Sequence, residues 1–267
     1  MSTMTVALDA GHSLKTAGKQ TPNGVKEWSL NDKVRDKVVA MLKDYDVIFI
    51  YPDNNEGNVD ESLTKRRTMY VRPDVDAMVS IHHNAYKGVW GNATGVEVYV
   101  DKKCTAADKE LANLIYTRLV NNTGLRGRGI KSSNLTVINQ NSVPAVLVEG
   151  GFMDSKIDNP VITSDVGQTA YAKAVADALI VFLDLKKKNV KEDPKPVNTT
   201  DKTFKVKFLE DMNVRKGAGT KYKITTTVKK NFVYTIVDTT TVNNVLWGKL
   251  KSGAGWVCIA SKYCTRV

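Results

Sequence analysis

The stretch MTVALDAGHS (residues 4–13) predicts how this chain begins to fold. Its first six residues are a short, mostly apolar run that is typical of a buried strand, and Gly11 permits a tight turn directly after it. The apolar residues within SLNDKVRDKVVAMLKDY (29–45) recur at helical spacing, and DVIFIY (46–51) is again a strand-like run of β-branched and aromatic residues. The chain is therefore predicted to begin as strand, helix and strand.

This alternation continues to about residue 185. Helices are predicted over residues 61–71, from the N-cap Thr105 to Gly124 just beyond the helix end, and over residues 165–185. Four further strands are predicted at AMVSIHH (77–83), TGVEVYV (94–100), LTVI (135–138) and AVLVEG (145–150). Because fully apolar strands need cover on both faces, the pattern predicts an α/β fold with a largely parallel sheet between helices.

A polar stretch, KKKNVKEDPKPVNTTDK (186–202), separates this region from the rest of the chain. It has many lysines, two prolines and few apolar residues, so it cannot bury itself and is typical of an extended linker. Residues 203–267 then carry short β-branched runs between Gly, Asn and Lys, a pattern that predicts a small, strongly bent all-β barrel. The predicted organisation is a first domain over 1–185, a linker over 186–202 and a second domain over 203–267.

The formal net charge of +11 is distributed unevenly along the chain. Residues 1–185 carry 21 Lys and Arg against 22 Asp and Glu, whereas residues 203–267 carry 12 against 3. Any anionic surface that this protein binds is therefore expected to bind the second domain. A nucleic-acid-binding protein would be expected to carry a basic stripe in the first domain as well, so nucleic acid is not predicted as a partner.

Other features of the sequence exclude further classes of protein. No apolar run approaches eighteen residues, so no transmembrane helix is predicted. The N-terminus, MSTMTVALDAGHS, lacks the basic region and apolar core of a secretory signal. Three cysteines without a C-x-x-C pair argue against a disulfide framework and against a cysteine-built zinc site. We expect a soluble protein that is made in a reducing compartment.

The chain has three histidines, and each of them lies at a predicted strand end. His12 follows the first strand, and His82 and His83 end the strand SIHHNA. Glu149 closes the apolar run PAVLVEGGF. In a parallel sheet the carboxyl ends of the strands share one edge, where ligands bind, so these side chains are expected to meet. For a single histidine, a structural role in a loop is the more common explanation.

Two histidines and one carboxylate with an open fourth position are typical of a catalytic zinc site. Two glutamates are candidates for the third ligand. Glu27 lies close in sequence to His12, between a Gly-containing loop and the first helix, and Glu149 lies at a strand end. The other glutamate would then act as a general base. Spacing alone does not separate these two roles.

The four motifs LDAGHS, Glu27, SIHHNA and PAVLVEGGFMD together resemble those of the type 3 zinc-dependent N-acetylmuramoyl-L-alanine amidases, over about residues 4–184. The resemblance implies that His12, Glu27 and His82 bind zinc and that Glu149 is the catalytic glutamate. His83 stands where these enzymes often have a small residue, so it is not assigned to the metal. The resemblance also implies a twisted six-stranded sheet flanked by helices. The implied substrate is the amide that joins N-acetylmuramic acid to L-alanine in peptidoglycan.

The second domain is similar to bacterial Src-homology-3-like wall-binding domains. The similarity rests on Asn213-Val214-Arg215, a Gly-rich turn and the closing Gly255-Trp256-Val257, and Asn231 departs from it at a position where glycine is common. Three aromatic residues of this domain either belong to the barrel core or contact a ligand: Trp247, Trp256 and Tyr263. The basic charge suits the anionic phosphate polymers of Gram-positive walls.

Together these features predict a modular peptidoglycan hydrolase with a Zn2+ cofactor, a flexible linker and a wall-binding domain. Without a signal peptide, it is expected to be a phage endolysin that is made in the host cytoplasm and acts on the wall after release. An autolysin or a mother-cell lysin would have the same activity. More distant alternatives are another zinc hydrolase of the wall, such as a carboxypeptidase or a deacetylase, and a non-catalytic binding protein with a vestigial metal site.

Overall fold

A computed structural model describes residues 3–140, 142–188, 203–242 and 245–267. The chain divides into two compact units, Met1–Lys188 and Asn189–Val267. The first unit includes Lys186 and Lys188, whose backbone groups hydrogen-bond to those of Asp46 and Asp44. The remainder of the predicted linker, residues 189–202, lies outside the described residues.

In its described part, the first unit contains a six-stranded sheet, as the resemblance implies. Its strands are β1 (Met4–Ala10), β2 (Val47–Ile50), β3 (Ala77–Asn84), β4 (Val96–Val100), β5 (Gly127–Ser132) and β6 (Ala145–Phe152). The strand order is β2-β1-β3-β6-β4-β5, and every pair is parallel except β4 with β6. The prediction of a largely parallel sheet in an α/β fold is confirmed.

Helices pack against both faces of this sheet. They are α1 (Glu27–Leu42), α2 (Leu63–Tyr70), α3 (Ala106–Thr123), α4 (Asn159–Ile162) and α5 (Asp165–Phe182). Neighbouring residues of a strand point to opposite faces, so Val6 and Leu8 of β1 join the core beneath α1, α3 and α5, whereas Ala7 joins a smaller core beneath α2. The sheet therefore has an apolar core on each face, and each core is covered by helices.

The ends of α3 are those that the sequence predicts. Thr105 and Asp108 form a capping box, in which each side chain accepts a hydrogen bond from the other residue's backbone N–H. Gly124 ends the helix with a φ of 68°, in the left-handed region that glycine adopts without strain.

The prediction of a strand at residues 135–138 is wrong. This segment contains a turn, and the fifth strand is β5, whose sequence GRGIKS is polar and glycine-rich. An edge strand such as β5 pairs with one neighbour and faces solvent, so it needs no apolar run. Val137 and Ile138 are buried for another reason, because they pack in the smaller core with Tyr70, whose hydroxyl donates to the Val137 carbonyl at 2.6 Å.

The described part of the second unit is a seven-stranded antiparallel sheet in the order β13-β7-β10-β11-β12-β8-β9. Its strands are β7 (Phe204–Phe208), β8 (Met212–Arg215), β9 (Ile224–Val228), β10 (Val233–Val242), β11 (Val245–Leu250), β12 (Trp256–Cys258) and β13 (Cys264–Arg266). Trp247 is buried, as a core residue would be, whereas Trp256 and Tyr263 remain partly exposed. Asn231 has a φ of 66°, a left-handed conformation that asparagine tolerates better than most residues.

Within the described residues, no helix combines the length and the apolar character that crossing a membrane requires.

Candidate metal centre

The parallel strands β1, β3 and β6 bring the predicted site residues to one edge of the sheet. His12 follows β1, His82 lies near the end of β3, and Glu149 is its register partner on β6. Glu27, the first residue of α1, reaches the same place from the helix. The sequence placed these side chains at strand and helix ends, and the fold brings them together.

Three of these side chains converge on one point. His12 Nε2 lies 3.3 Å from Glu27 Oε2, and His82 Nδ1 lies 3.1 Å from Glu27 Oε1. The two imidazole rings are edge-on to each other, with centroids 5.0 Å apart. One ligand atom from each residue lies within 4.8 Å of the others.

The protonation states of Glu27 and His12 suit a cation at this point. Burial raises the pKa of Glu27, but the hydrogen bond from His82 and the charges of both imidazoles outweigh it and lower the pKa to about 2. Burial lowers the pKa of His12 to about 4, with Glu27 opposing the shift. At neutral pH, Glu27 is therefore an anion and His12 a neutral imidazole, the forms in which these side chains bind a metal. Burial lowers the pKa of His82, but the hydrogen bond to Glu27 and the charge of Glu27 outweigh burial and raise that pKa, so a metal would displace a proton from His82.

The donor set fits zinc. Zinc binds imidazole nitrogen and carboxylate oxygen at about 2.0–2.2 Å in tetrahedral geometry, which separates neighbouring ligand atoms by roughly 3.4 Å. Each histidine nitrogen lies near that distance from one carboxylate oxygen of Glu27, His12 from Oε2 at 3.3 Å and His82 from Oε1 at 3.1 Å, and one ligand atom from each of the three residues lies within 4.8 Å of the other two. Two nitrogens and one carboxylate leave a fourth position open, as in catalytic zinc sites.

A buried chain of hydrogen bonds orients His82. His82 Nε2 lies 3.1 Å from Ser80 Oγ, and the Ser80 hydroxyl donates to Asp9 Oδ2 at 2.6 Å. Because the Ser80 proton is directed at Asp9, Ser80 accepts from His82 Nε2–H, so Nδ1, which faces Glu27, is the nitrogen that would give up its proton to bind a metal. Arg66 completes the chain by donating from Nη1 to Asp9 Oδ1 at 2.7 Å. Such partners fix the tautomer and the orientation of a metal-binding histidine.

The backbone around His12 is also held from α2. His12 has a φ of 68°, which is uncommon for a residue other than glycine. The guanidinium of Arg66 donates to the carbonyl oxygens of Ala10 and His12 and so stabilises this conformation. Gly11 is required by packing, since a Cβ there would lie 2.1 Å from Cε1 of His82.

His83 does not belong to the converging group. Its side chain is buried, its Nδ1 lies 2.8 Å from Asn31 Oδ1, and its ring packs edge-on against Tyr171. Asn31 in turn donates to the Gly11 carbonyl at 3.1 Å. His83 therefore braces the loop that carries His12 through Asn31.

Glu149 is the other carboxylate of the centre, and its environment differs from that of Glu27. Within the described residues its Oε2 is buried and has no hydrogen-bond partner. Burial raises the pKa of Glu149 to about 7, and the negative charges of Glu27 and Glu97 add to the shift while His82 opposes it. A carboxylate with a pKa near neutrality can both accept and donate a proton at physiological pH.

Sequence reasoning did not identify the residues that support this centre. Asp9, Ser80 and Arg66 are buried polar residues, and the first two lie within otherwise apolar strands, which is the signal that could have revealed them. Glu97 on β4 is paired in register with Glu149 on the neighbouring strand β6. It forms salt bridges with the side chains of Arg128 and Lys131, and it accepts a hydrogen bond from Asn84.

A cavity of about 320 Å³ opens beside the centre. It reaches from the two histidines to the start of α2 and includes charged side chains. Its lining includes His12, His82, Asp60, Glu61 and Arg66.

Comparisons with known proteins agree with this geometry. The sequence model of a family described as N-acetylmuramoyl-L-alanine amidase matches residues 6–181. The chain is 33% identical over 276 residues to the endolysin of Bacillus phage SPP1, covering 97% of both chains. An N-acetylmuramoyl-L-alanine amidase structure from Clostridium difficile 630 matches with 28% identity and a TM-score of 0.63, over 69% of this chain and 98% of that one. The catalytic domain of CwlV from Bacillus (Paenibacillus) polymyxa matches with 26% identity and a TM-score of 0.62, over 68% and 99%.

Proposed function

The chain belongs to the N-acetylmuramoyl-L-alanine amidase family, and we propose that its first unit is a zinc-dependent peptidoglycan hydrolase. It cleaves the amide bond between the lactyl group of N-acetylmuramic acid and L-alanine of the stem peptide. One observation carries the proposal: His12, Glu27 and His82 offer ligand atoms within 4.8 Å of one another, beside a buried oxygen of Glu149 that has no hydrogen-bond partner among the described residues.

His12, Glu27 and His82 would hold the metal. Zinc, when bound there, supplies a Lewis acid that polarises the substrate carbonyl and acidifies water. Asp9 and Ser80 keep His82 in the tautomer whose Nδ1 faces the metal position.

Glu149 transfers the proton. It accepts a proton from the attacking water at the buried carboxylate and then delivers this proton to the nitrogen of the departing L-alanine. A base with a pKa of about 7 holds a proton loosely enough to return it within the same reaction. Glu27 is unsuited to this role, because its pKa of about 2 and its pairing with both histidines keep it ionised.

The second unit is a bacterial Src-homology-3-like barrel that holds the enzyme on the wall. Two features support this role: the antiparallel sheet, and the charge of residues 203–267, which include 12 basic and 3 acidic residues. The similarity to the phage endolysin covers 97% of both chains and so includes the second unit. A linker that begins after Lys188 and a wall-binding domain over 203–267 would raise the local concentration of the enzyme on its substrate. We therefore propose that the protein is an endolysin of a phage that infects a Gram-positive host.

Digestion of purified Gram-positive walls tests the activity and the metal together. We expect new free L-alanine N-termini without new reducing sugars, as measured by mass spectrometry and end-group assays. The protein should contain about one zinc per chain, lose activity with a chelator and regain it with zinc. New reducing sugars would indicate a glycosidase, cleavage within the stem peptide would indicate a peptidase, and full activity of metal-free protein would contradict the zinc assignment.

A salt titration tests how the second unit binds. If its charge provides the attraction, binding of the full chain to whole walls should weaken steeply between about 50 and 500 mM salt, since the Debye length falls from roughly 14 to 4 Å. Replacing the exposed Lys249 and Lys251 with glutamine should weaken binding, because both lie in the basic unit. The matched control replaces Lys102 and Lys109, which are exposed in the first unit, and lowers the net charge equally. Equal binding by both double variants at every salt concentration would refute charge-driven attachment through the second unit.

A further inference from the structure

The loop that follows β3 presents unusually exposed apolar side chains. Tyr86 is 69% exposed, Val89 63% and Trp90 41%. Three large apolar side chains are exposed within five positions of one loop, and exposed apolar residues that cluster in this way mark binding surfaces more often than isolated ones do. We call Tyr86, Val89 and Trp90 the platform.

The first half of this loop is held by a buried carboxylate. Asp154 is 2% exposed, and its Oδ2 accepts hydrogen bonds from three consecutive backbone N–H groups. These belong to Tyr86 at 2.9 Å, Lys87 at 2.8 Å and Gly88 at 2.8 Å. Hydrogen bonds to an ionised acceptor are the strong ones, so the backbone beneath the platform is well ordered.

The second half is held in the same way. The Gly91 N–H donates to the carbonyl oxygen of Asp154 at 2.8 Å. Asp158, which is fully buried, accepts from the Thr94 hydroxyl at 2.6 Å and from the Gly95 N–H at 2.8 Å. Two buried carboxylates therefore fix both ends of a loop whose apolar side chains still face solvent. A preorganised surface loses little conformational entropy when it binds.

The platform is linked to the two strands that hold His82 and Glu149, to one through the chain and to the other through hydrogen bonds. The loop begins directly after β3, the strand of His82, and Asp154 lies two residues after the end of β6, the strand of Glu149. The last residue of β3, Asn84, is in register with Phe152 at the end of β6. The platform thus begins where the strands of the centre end.

The two surfaces beside the centre differ in charge. The cavity at the start of α2 is lined by Asp60, Glu61 and Arg66, whereas the loop from Ala85 to Thr94 has Lys87 as its single charged residue. The substrate of the proposed function has two arms at the scissile amide, a stem peptide with ionised groups and a glycan strand of largely uncharged sugar rings. Aromatic faces pack against the C–H faces of sugar rings, so the platform suits the glycan arm and the cavity suits the peptide arm.

We propose, resting on the amidase function above, that Tyr86, Val89 and Trp90 bind the glycan strand of peptidoglycan and orient it across the metal centre. The platform contacts sugar residues beyond the N-acetylmuramic acid whose amide is cleaved. It therefore determines a preference for long glycan strands over short fragments.

Kinetics on two substrates test this proposal. Trp90→Ala and Tyr86→Ala should each lower kcat/KM on long, uncrosslinked glycan strands by about tenfold through a higher KM. On a muropeptide with one disaccharide, kcat/KM should change less than about twofold, since the outer sugars are absent. Zinc content should be unchanged, because neither side chain contributes to the bonds that hold the loop or to the metal group. Trp90→Phe should restore most of the loss.

Exposed apolar residues elsewhere in the first unit provide matched controls. Ile48 on β2 and Val181 on α5 are each 54% exposed, and their alanine variants should behave as wild type on both substrates. A peptide-free probe, the β-1,4-linked tetramer of N-acetylglucosamine, should inhibit the wild-type full chain and inhibit Trp90→Ala at least about fivefold more weakly.

Three outcomes would overturn the proposal: unchanged kinetics of the platform variants on long strands, an equal loss on both substrates, or equal inhibition of wild type and Trp90→Ala by the tetramer. An equal loss would indicate that the platform binds the stem peptide or the innermost sugar. Failure of the amidase function can be told apart from failure of this proposal, because binding of the tetramer does not need turnover. Even if the wild type releases no L-alanine N-termini, the tetramer should protect the tryptophan fluorescence of the wild type from quenching more than that of Trp90→Ala.

Discussion

Glu149→Gln is expected to lower kcat on peptidoglycan by about 10²–10⁴-fold while the protein keeps its zinc. The substitution preserves the size of the side chain but removes the proton-accepting carboxylate, and Glu149 does not belong to the His12, Glu27 and His82 group. KM should change little, because the amide still fills the same space. Steady-state kinetics and the zinc content of the same preparation are the measurements.

Variants of neighbouring residues test whether Glu149 acts in proton transfer or binds the metal. His82→Ala should lose zinc and activity together, whereas His83→Ala should retain near-normal zinc, because its ring contacts Asn31 and Tyr171. Glu110→Gln, an exposed glutamate on α3, is the matched control and should match wild type. A Glu149→Gln protein without zinc would mean that the roles of Glu27 and Glu149 are exchanged.

The same variant has a predicted effect on stability. The pKa of Glu149 in the folded protein is about 7, above the ordinary value of 4.5, so the folded state binds this proton more tightly than the unfolded state. Ionising Glu149 therefore costs stability progressively as the pH rises from about 4.5 to about 7. Without metal, Glu149→Gln should be more stable than wild type by up to about 3 kcal/mol above pH 7, and this gain should vanish below about pH 4.5.

Arg66→Met is expected to destabilise the first unit by about 3–5 kcal/mol, because it removes one partner of a buried ion pair. Arg66 and Asp9 are 2% and 1% exposed, and their pair has a 2.7 Å hydrogen bond. Without the guanidinium, the Asp9 carboxylate is left buried without its cation, and the carbonyls of Ala10 and His12 lose their donor. Zinc affinity should fall as well, since His12 is no longer held in its left-handed conformation.

The neighbouring arginine is the matched control. Arg67 is partly buried and donates one hydrogen bond, to the Asn139 carbonyl, so Arg67→Met should cost less than about 1 kcal/mol. Adding Asp9→Asn to Arg66→Met removes the buried charge and should recover part of the loss. Scanning calorimetry of the full chain follows the first unit's own transition. An unchanged transition in Arg66→Met would refute the role of this ion pair.

Much of the first unit's fold could be predicted from local patterns. The apolar run MTVALD and the helical spacing after it correspond to β1 and α1, and the capping residues of α3 lie where the sequence indicates. The strand at 135–138 was wrong because burial and strand formation are separate properties. Val137 is buried against Tyr70 of α2 in the smaller core, whereas the polar β5 forms through pairing with β4, and neither partner is visible in a local window.

The candidate site could be predicted in part for a similar reason. His12, His82 and Glu149 lie at strand ends, and parallel strands share one edge, so their meeting follows from the strand pattern. The separate roles of Glu27 and Glu149 depend on contacts across the fold. Glu27 is paired with both histidines and has a low pKa. In the described part of the chain, the buried Oε2 of Glu149 has no hydrogen-bond partner, and the pKa of Glu149 is raised.

By itself, then, the sequence determined most of the alternation of strands and helices, the α/β class and the residue types that meet at one edge of the sheet, because these depend on periodicities of 2 and 3.6 residues and on side-chain chemistry. Only the tertiary structure decided which groups support that edge. Arg66 reaches Asp9 across 57 positions, Ser80 reaches it across 71, and Asp154 holds a loop 66 to 68 positions away. The physical reason is that hydrogen bonds and burial depend on distance in space, and spatial distance between remote residues is set only when the whole sheet and its helices have packed.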